Sequence, residues 1–536
     1  MKISNIIFLF ASTILMAIPA GYEPGHFAKV LFAGALVQSF AFSSIILFFT
    51  HRNLTAKRII ISLIYILFCL ETFLFIRFGS RLDPNMLTLA LQTNVKEISE
   101  FFSVYLVTPF TLVFIIIIIS FYILLYKSLT ITAEWNCRRK YINACILSGT
   151  IIGIALPFLP IGVPVGRNSL NELGMSVRFV TERHSDIKKM IDGIDQIYIT
   201  ESPDKEDAPI IVLVIGESFN KQHSSLYGYY LPTSPNLQKE LDDGNLFFFT
   251  KAMSPTNGTD FAMRYIFSLK GCEKTDSNDI HSALLMPAIF KKAGYKVAYF
   301  DNQYTRSSGG SLDFSCGYFL NPVQIHNQCF DYRNEKTDRY DGDFISKYRN
   351  DFLYEPKSLN IIHLKGQHFD AALRYPEHFG LFKANDIDQQ TLNEKQKQQV
   401  AHYDNATLYN DHVLKSIIDN FRDKNAIIIY FSDHGEQIYD EPSHYFGRGF
   451  DTIHKEETIK AVYEVPFMIW CSTEYINRHE DVVKIIQDIK DCEICTADVA
   501  YLLFDIADID FNYNIKSKSL IDNLFIPHNV IINQEF

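Results

Sequence analysis

The chain has 536 residues, carries a net charge of −11 and is 48% apolar. The charge is uneven: the first 160 residues hold a net +6 and the other 376 a net −17. That length suggests more than one structural unit. An acidic second part lacks the basic footprint that a phosphate backbone requires, which argues against nucleic acid as a partner.

In chain order, the apolar runs come first. Residues 3–22, 30–50, 101–126 and 141–166 contain no Lys, Arg, Asp or Glu, and 59–76 is interrupted only by Glu71. About 20 such residues cross the hydrocarbon core, so five spans are expected within a membrane domain over 1–165. The first run reads as a retained helix rather than a cleaved leader, because further spans follow it. Lys and Arg gather in the loops 51–58 and 127–140 and are absent from 22–28. Positive loops stay cytoplasmic, which puts everything after about residue 165 on the outer, periplasmic side. Glu71 is costly inside a span and reads as a snorkelling or helix-paired carboxylate. The outer connection 79–100 has helical spacing, and a surface helix is expected over about 83–100.

Residues 166–205 read as a helical bridge and linker, and 206–536 as an exported catalytic domain. That domain holds Cys272, Cys316, Cys329, Cys471, Cys492 and Cys495. An even number in an oxidising compartment predicts up to three disulfides of unassigned pairing, with buried thiols as the alternative. Strand-like runs recur at 209–216, 246–250, 296–300, 359–364, 425–431 and 465–470, with helical stretches such as 281–294 and 401–421 between them. This alternation predicts an α/β domain with a largely parallel sheet, whose reactive groups sit just beyond the C-terminal ends of the strands.

Polar clusters stand at those ends. The run 425–431 leads into Ser432-Asp433-His434-Gly435-Glu436, the first strand into Glu217, and 359–364 into His363 and His368. Zinc takes His nitrogen and carboxylate oxygen at about 2.0–2.2 Å, so Glu217, Asp433 and His434 are candidate ligands. Gly435 is expected to relax the turn. A nucleophile is sought in Ser254-Pro255-Thr256-Asn257-Gly258-Thr259-Asp260, which precedes an apolar helical pattern. Thr259 stands where that helix begins. The ordinary role there is an N-cap, but a helix N-terminus also favours anions. Thr256 is the alternative.

The segments GESFNKQHSSLYGY (216–229), GYKVAYFDNQ (294–303), HLKGQHFDAALRYP (363–376), YDNATLYND (403–411) and SDHGEQIYD (432–440), together with the five spans, resemble the phosphoethanolamine transferases. The resemblance implies a five-span α-helical membrane domain followed by an α/β domain of alkaline phosphatase/sulfatase-like type. It implies zinc bound by Glu217, Thr259, Asp433 and His434, with Thr259 as nucleophile. It implies that His368 and His444 contact phosphate, and that Thr93 and Glu97 line the lipid path. The sequence departs from the family pattern at Leu89, where an Asn is expected, and at Ala262-Met263-Arg264. Donor and acceptor are implied to be phosphatidylethanolamine and lipopolysaccharide, at lipid A or a core sugar, in a bacterial inner membrane. A glycerol-phosphate transferase or another phosphodiester or phosphomonoester hydrolase of the same superfamily is the alternative function. A sulfatase is disfavoured, because no Cys or Ser stands in a C/S-x-P-x-R setting near Thr259.

Overall fold

The computed structural model describes residues 2–21, 28–78, 82, 87, 109–131, 133, 147, 168–182, 185–206, 208–271, 280–304, 317–440, 445–448 and 455–525. The chain divides into two compact units, residues 1–183 and 184–535.

The first unit is helical: Ile3–Ala17, Ala28–Thr50, Leu54–Phe78, Pro109–Ser128 and Ser169–Glu182. A helix satisfies its own backbone polar groups, which suits segments with few polar side chains. Among the described residues two stretches, Ile3–Ala20 and Leu54–Ile76, are long and apolar enough to cross a membrane. Gly34–Thr50 and Ile115–Ser128 are shorter apolar helices. The five expected spans are therefore matched only in part. Nearly all of 141–166 lies outside the described residues, as does nearly all of the expected surface helix, including Thr93 and Glu97. Glu71 is fully buried and accepts a hydrogen bond from the Ser169 hydroxyl.

The second unit is built on a seven-stranded sheet. Its strands are β1 (Ile210–Gly216), β2 (Leu246–Phe249), β3 (Lys296–Asp301), β4 (Tyr332–Arg333), β5 (Ser358–His363), β6 (Ala426–Ser432) and β7 (Phe467–Cys471). Their spatial order is β2-β7-β6-β1-β5-β3-β4. The pairs β6-β1, β1-β5, β5-β3 and β3-β4 are parallel, while β7 runs antiparallel to both β6 and β2. The sheet is thus mixed rather than largely parallel. An apolar run buried on both faces reads the same in either direction. The route decides: the excursion 433–466 ends at the same edge it left, so Phe467 pairs with Phe431 and Cys471 with Ile427.

The alternation within β1 explains its unbroken apolar appearance. Ile211, Leu213 and Ile215 enter one core, and Ile210, Val212 and Val214 the other. The long helix Glu394–Phe421 covers the second face through Val413, Leu414, Ile417 and Phe421. Thr259–Phe267, Met286–Lys292 and Val499–Ile506 cover the first. Each such side chain, fully buried, contributes about 1.5–3 kcal/mol.

The disulfide expectation is not met by the described residues. Cys329 and Cys471 are fully buried without a disulfide, Cys492 is half-buried without one, and Cys272 and Cys316 lie outside the described residues. Burial pushes the Cys329 and Cys471 thiols well up, which makes them inert core residues.

Candidate active site

Register brings the chemistry to one edge. Gly216 pairs with Ser432, Ile215 with His363, and His363 with Asp301. Strands β6, β1, β5 and β3 therefore end level, and the residues that follow them meet.

Glu217, Asp433 and His434 offer one ligand atom each, all within 4.8 Å of one another, and all three are fully buried. His434 Nε2 lies 3.3 Å from a Glu217 oxygen and 3.3 Å from Asp433 Oδ2. His434 Nδ1 donates to the Gly435 carbonyl at 2.9 Å, which leaves Nε2 as the acceptor of the ring. Asp433 Oδ1 accepts from the backbone N–H of His434 at 2.7 Å and of Ser218 at 3.2 Å, yet its Oδ2 is buried with no hydrogen-bond partner. Burial, and after it the charge of Glu217, push the Asp433 carboxyl up to about 7. Burial also pushes Glu217 up, but His434, then His368 and Arg448, hold it well below the usual range. Two carboxyl groups, one with an orphaned oxygen, and an imidazole acceptor nitrogen in one buried spot fit a divalent cation.

Gly435 serves for room, not for a relaxed turn. A Cβ there would come within 2.2 Å of the Ala461 carbonyl oxygen, and the Gly435 N–H donates to the Val462 carbonyl at 2.7 Å. The backbone of 461–462 is pressed against the ligand turn, and only a residue without a side chain permits it.

Thr259 is the first residue of its helix, with Gly258 as the N-cap. Its side chain makes no cap. Its hydroxyl donates to Glu217 at 3.0 Å and stands 3.3 Å from His434 Nε2. Thr256 is buried, and its backbone is engaged in a local turn with Ser254. Thr259 is thus the threonine brought to the carboxylate-imidazole cluster. His368 is half-buried near Glu217, with Nδ1 on the Phe369 carbonyl at 2.8 Å, and burial lowers its pKa to about 4. His444, Thr93 and Glu97 lie outside the described residues.

Sequence reasoning missed several neighbours. Gln303 Nε2 stands 2.9 Å from Glu217, 2.9 Å from His363 Nε2 and 2.8 Å from the Leu364 carbonyl. His363 Nδ1 in turn meets Asp301 at 3.1 Å, and the Tyr299 hydroxyl donates to Asp301 at 2.8 Å. The strand-end rule that selected Glu217 also points to Asp301, which ends β3, and to Gln303 just beyond it. Tyr403 donates to the Ser218 carbonyl at 2.5 Å and accepts from the Asn220 N–H at 2.7 Å, pinning Ser218 at φ 55° beside Glu217. Arg448 carries no local signal at all, yet its Nη1 lies 2.9 Å from His434 Nε2.

Residues 209–506 match the sulfatase family, and residues 39–176 match the family described as phosphoethanolamine transferase EptA/EptB. Phosphoethanolamine transferase EptC of Escherichia coli (strain K12) is 26% identical over 479 residues, covering 84% of this chain and 79% of that protein. The Kdo(2)-lipid A phosphoethanolamine 7''-transferase of the same strain is 27% identical over 312 residues, covering 58% and 52%. The crystal structure of the C-terminal periplasmic domain of EcEptC from Escherichia coli, in complex with Zn, is similar to 62% of this chain and 90% of its own, at TM-score 0.52 and 27% identity. The integral membrane protein lipooligosaccharide phosphoethanolamine transferase A from Neisseria meningitidis shares the fold over 97% of both chains, at TM-score 0.64 and 16% identity.

Proposed function

The chain belongs to the phosphoethanolamine transferases of the sulfatase superfamily, and from that premise we propose that it moves phosphoethanolamine from phosphatidylethanolamine to lipopolysaccharide, at lipid A or a core sugar, through a phosphorylated Thr259 at a zinc site. The observation that carries the reading is the Thr259 hydroxyl, held 3.0 Å from Glu217 and 3.3 Å from His434 at the start of a helix.

Glu217, Asp433, His434 and Thr259 would hold the zinc. Such an ion supplies Lewis-acid charge that eases loss of the hydroxyl proton and offsets charge on the phosphoryl oxygens. Thr259 Oγ1 attacks phosphorus and its proton passes toward Glu217 Oε2, the atom it already faces. The bond from phosphorus to the glycerol oxygen breaks, diacylglycerol leaves with the proton that Glu217 received, and phosphoethanolamine remains esterified to Thr259. In the second step a hydroxyl or phosphate of the acceptor attacks the same phosphorus, the bond from phosphorus to Thr259 Oγ1 breaks, and Thr259 takes up a proton given by the acceptor or by water. His368, neutral above pH of about 4 and with Nε2 as its free acceptor, suits removal of the proton from an acceptor hydroxyl. The backbone N–H groups at the start of helix Thr259–Phe267 favour the anion. His444, Thr93 and Glu97 keep their assigned roles in phosphate and lipid contact within this reading.

The first unit is read as a five-span anchor in the bacterial inner membrane, with the second unit in the periplasm. Its apolar helices and the positive loops 51–58 and 127–140 support this. An anchor keeps the site beside a lipid donor, which a soluble phosphatase does not need. The test uses the full chain in detergent with phosphatidylethanolamine. Diacylglycerol release and a phosphoethanolamine adduct on the Thr259 peptide are expected from the parental protein, and neither from Thr259→Ala. An adduct on Thr256, or undiminished release by the variant, would remove Thr259 from its role. Mass spectrometry of lipopolysaccharide from cells with and without the gene reads the acceptor.

A further inference from the structure

We infer that Arg448 grips a non-bridging oxygen of the phosphoryl group while that group sits at Thr259. The inference rests on the reading above for the identity of the group, though not for the grip itself.

The route of the chain is built to deliver this residue. After Glu436, Gln437–Ile438 pairs antiparallel with Phe446–Gly447, and Gly447 turns at φ 110°, a conformation that favours glycine. The chain so returned sets Arg448 over His434. A second tie comes from the nucleophile's own loop: Asn257 Nδ2, two residues before Thr259, donates to the Arg448 carbonyl at 2.9 Å. Arg448 is thus registered to both the ligand turn and the threonine.

The side chain reaches the ligand histidine. Nη1 lies 2.9 Å from His434 Nε2, and that nitrogen lies 3.3 Å from Thr259 Oγ1. Among the described residues this is the only hydrogen bond of the Arg448 side chain. Arg374 differs: its Nε and Nη2 are committed to the carbonyls of His368 and Phe369. When the Nε2 lone pair is taken by a cation, Arg448 loses its one acceptor here. It remains a permanent cation with a fork of N–H donors. The neighbouring groups Glu217, Asp433 and Glu436 are buried carboxylates that repel an incoming phosphate. A phosphoryl group is an acceptor that a guanidinium fork matches through two parallel hydrogen bonds.

The test is titration of the zinc-loaded full chain in detergent with inorganic phosphate, beside zinc content and turnover of phosphatidylethanolamine. Arg448→Gln should weaken phosphate binding at least tenfold and lower kcat by about 10²–10³-fold, the usual loss for one transition-state donor. Its zinc content should match the parent, and Arg448→Lys should recover part of both losses. Parental phosphate affinity in Arg448→Gln would overturn the inference, and so would loss of zinc in step with loss of phosphate. If the parent releases no diacylglycerol while its phosphate binding still depends on Arg448, the transfer reading fails and the grip stands.

Discussion

In the proposed mechanism Glu217 presents an oxygen to a cation and receives a proton from Thr259, so its orientation matters as much as its presence. Gln303 fixes it. The amide bridges Glu217 to His363, which Asp301 and Tyr299 hold from behind. Removing such an outer support costs about 10–100-fold in metal affinity in well-studied sites. Gln303→Ala is therefore expected to lose zinc to a chelator at about 10–100-fold lower concentration, while its melting temperature stays near the parent's in excess zinc. Equal chelator resistance would show that Glu217 is held without it. Gly435 makes a different demand, since a methyl group there meets a backbone oxygen at 2.2 Å and no side chain can rotate away. Overpacking of that kind costs about 1–3 kcal/mol. Gly435→Ala should lower the melting temperature and the zinc content together.

At the scale of elements, helix Glu394–Phe421 does more than cover the sheet. It carries Tyr403 and Asp404 under the site, and Asp404 accepts from His223 at 2.7 Å and from Tyr229 at 3.0 Å. His223 Nε2 also meets Asp440 at 3.3 Å, so one buried imidazolium ties the 216–229 loop, the helix and the segment after the ligand turn. Burial lowers the His223 pKa, but Asp404 and then Asp440 outweigh it and raise it to about 10. Asp404 is itself pushed up by burial and drawn back by His223, while Asp440 is held low mainly through its bond to His223, against the push of burial. A histidine favoured as a cation in the folded state adds stability fully below its unfolded pKa of about 6.5. That share is lost as pH rises toward about 10. The parent's stability should fall across this window, and His223→Gln should flatten the fall. The variant leaves Asp404 and Asp440 facing each other, so it should also be less stable at pH 6 by about 3–5 kcal/mol. Denaturant titrations at several pH values check both; parallel pH profiles would mean that His223 is not charged. The far end of the same helix is closed by Asn393, which accepts from the Gln396 N–H, while Gln396 accepts from the Asn393 N–H. Asn393→Ala should cost about 1 kcal/mol and leave zinc content and turnover unchanged, since among the described residues the Asn393 cap bonds Gln396 and no group of the site.

Across the whole molecule, what could be read from the sequence was whatever rests on local pattern. Strands β1 and β6 are short β-branched runs with polar groups immediately after them, so their ends and Glu217, Asp433 and His434 were legible. The direction of β7 was not, because burial on both faces erases it. Neither was Arg448, which reaches His434 only through a hairpin, nor the part played by Gly435, which depends on Ala461 across space. The expected disulfides are not met among the described residues, because parity says nothing about packing: Cys329 and Cys471 are core side chains, as the alternative of buried thiols has it. The division into two units carries the last prediction. The core residues of the second unit, from Met190 to Leu520, lie within residues 184–535, and so do Glu217, Thr259, Gln303, His368, Asp433, His434 and Arg448 of its site. Excised as 184–535, it should fold cooperatively, bind zinc as the full chain does, and bind inorganic phosphate with the same dependence on Arg448. What it lacks is the set of apolar helices proposed to anchor the site beside its lipid donor. Tethering raises effective concentration and is worth about 10²–10⁴-fold without any new contact. Turnover of phosphatidylethanolamine in vesicles should fall by that order relative to the full chain reconstituted in the same vesicles, while in detergent solution the gap should narrow. A fragment that matches the full chain on vesicles would mean that the apolar helices serve some end other than bringing the site to its donor.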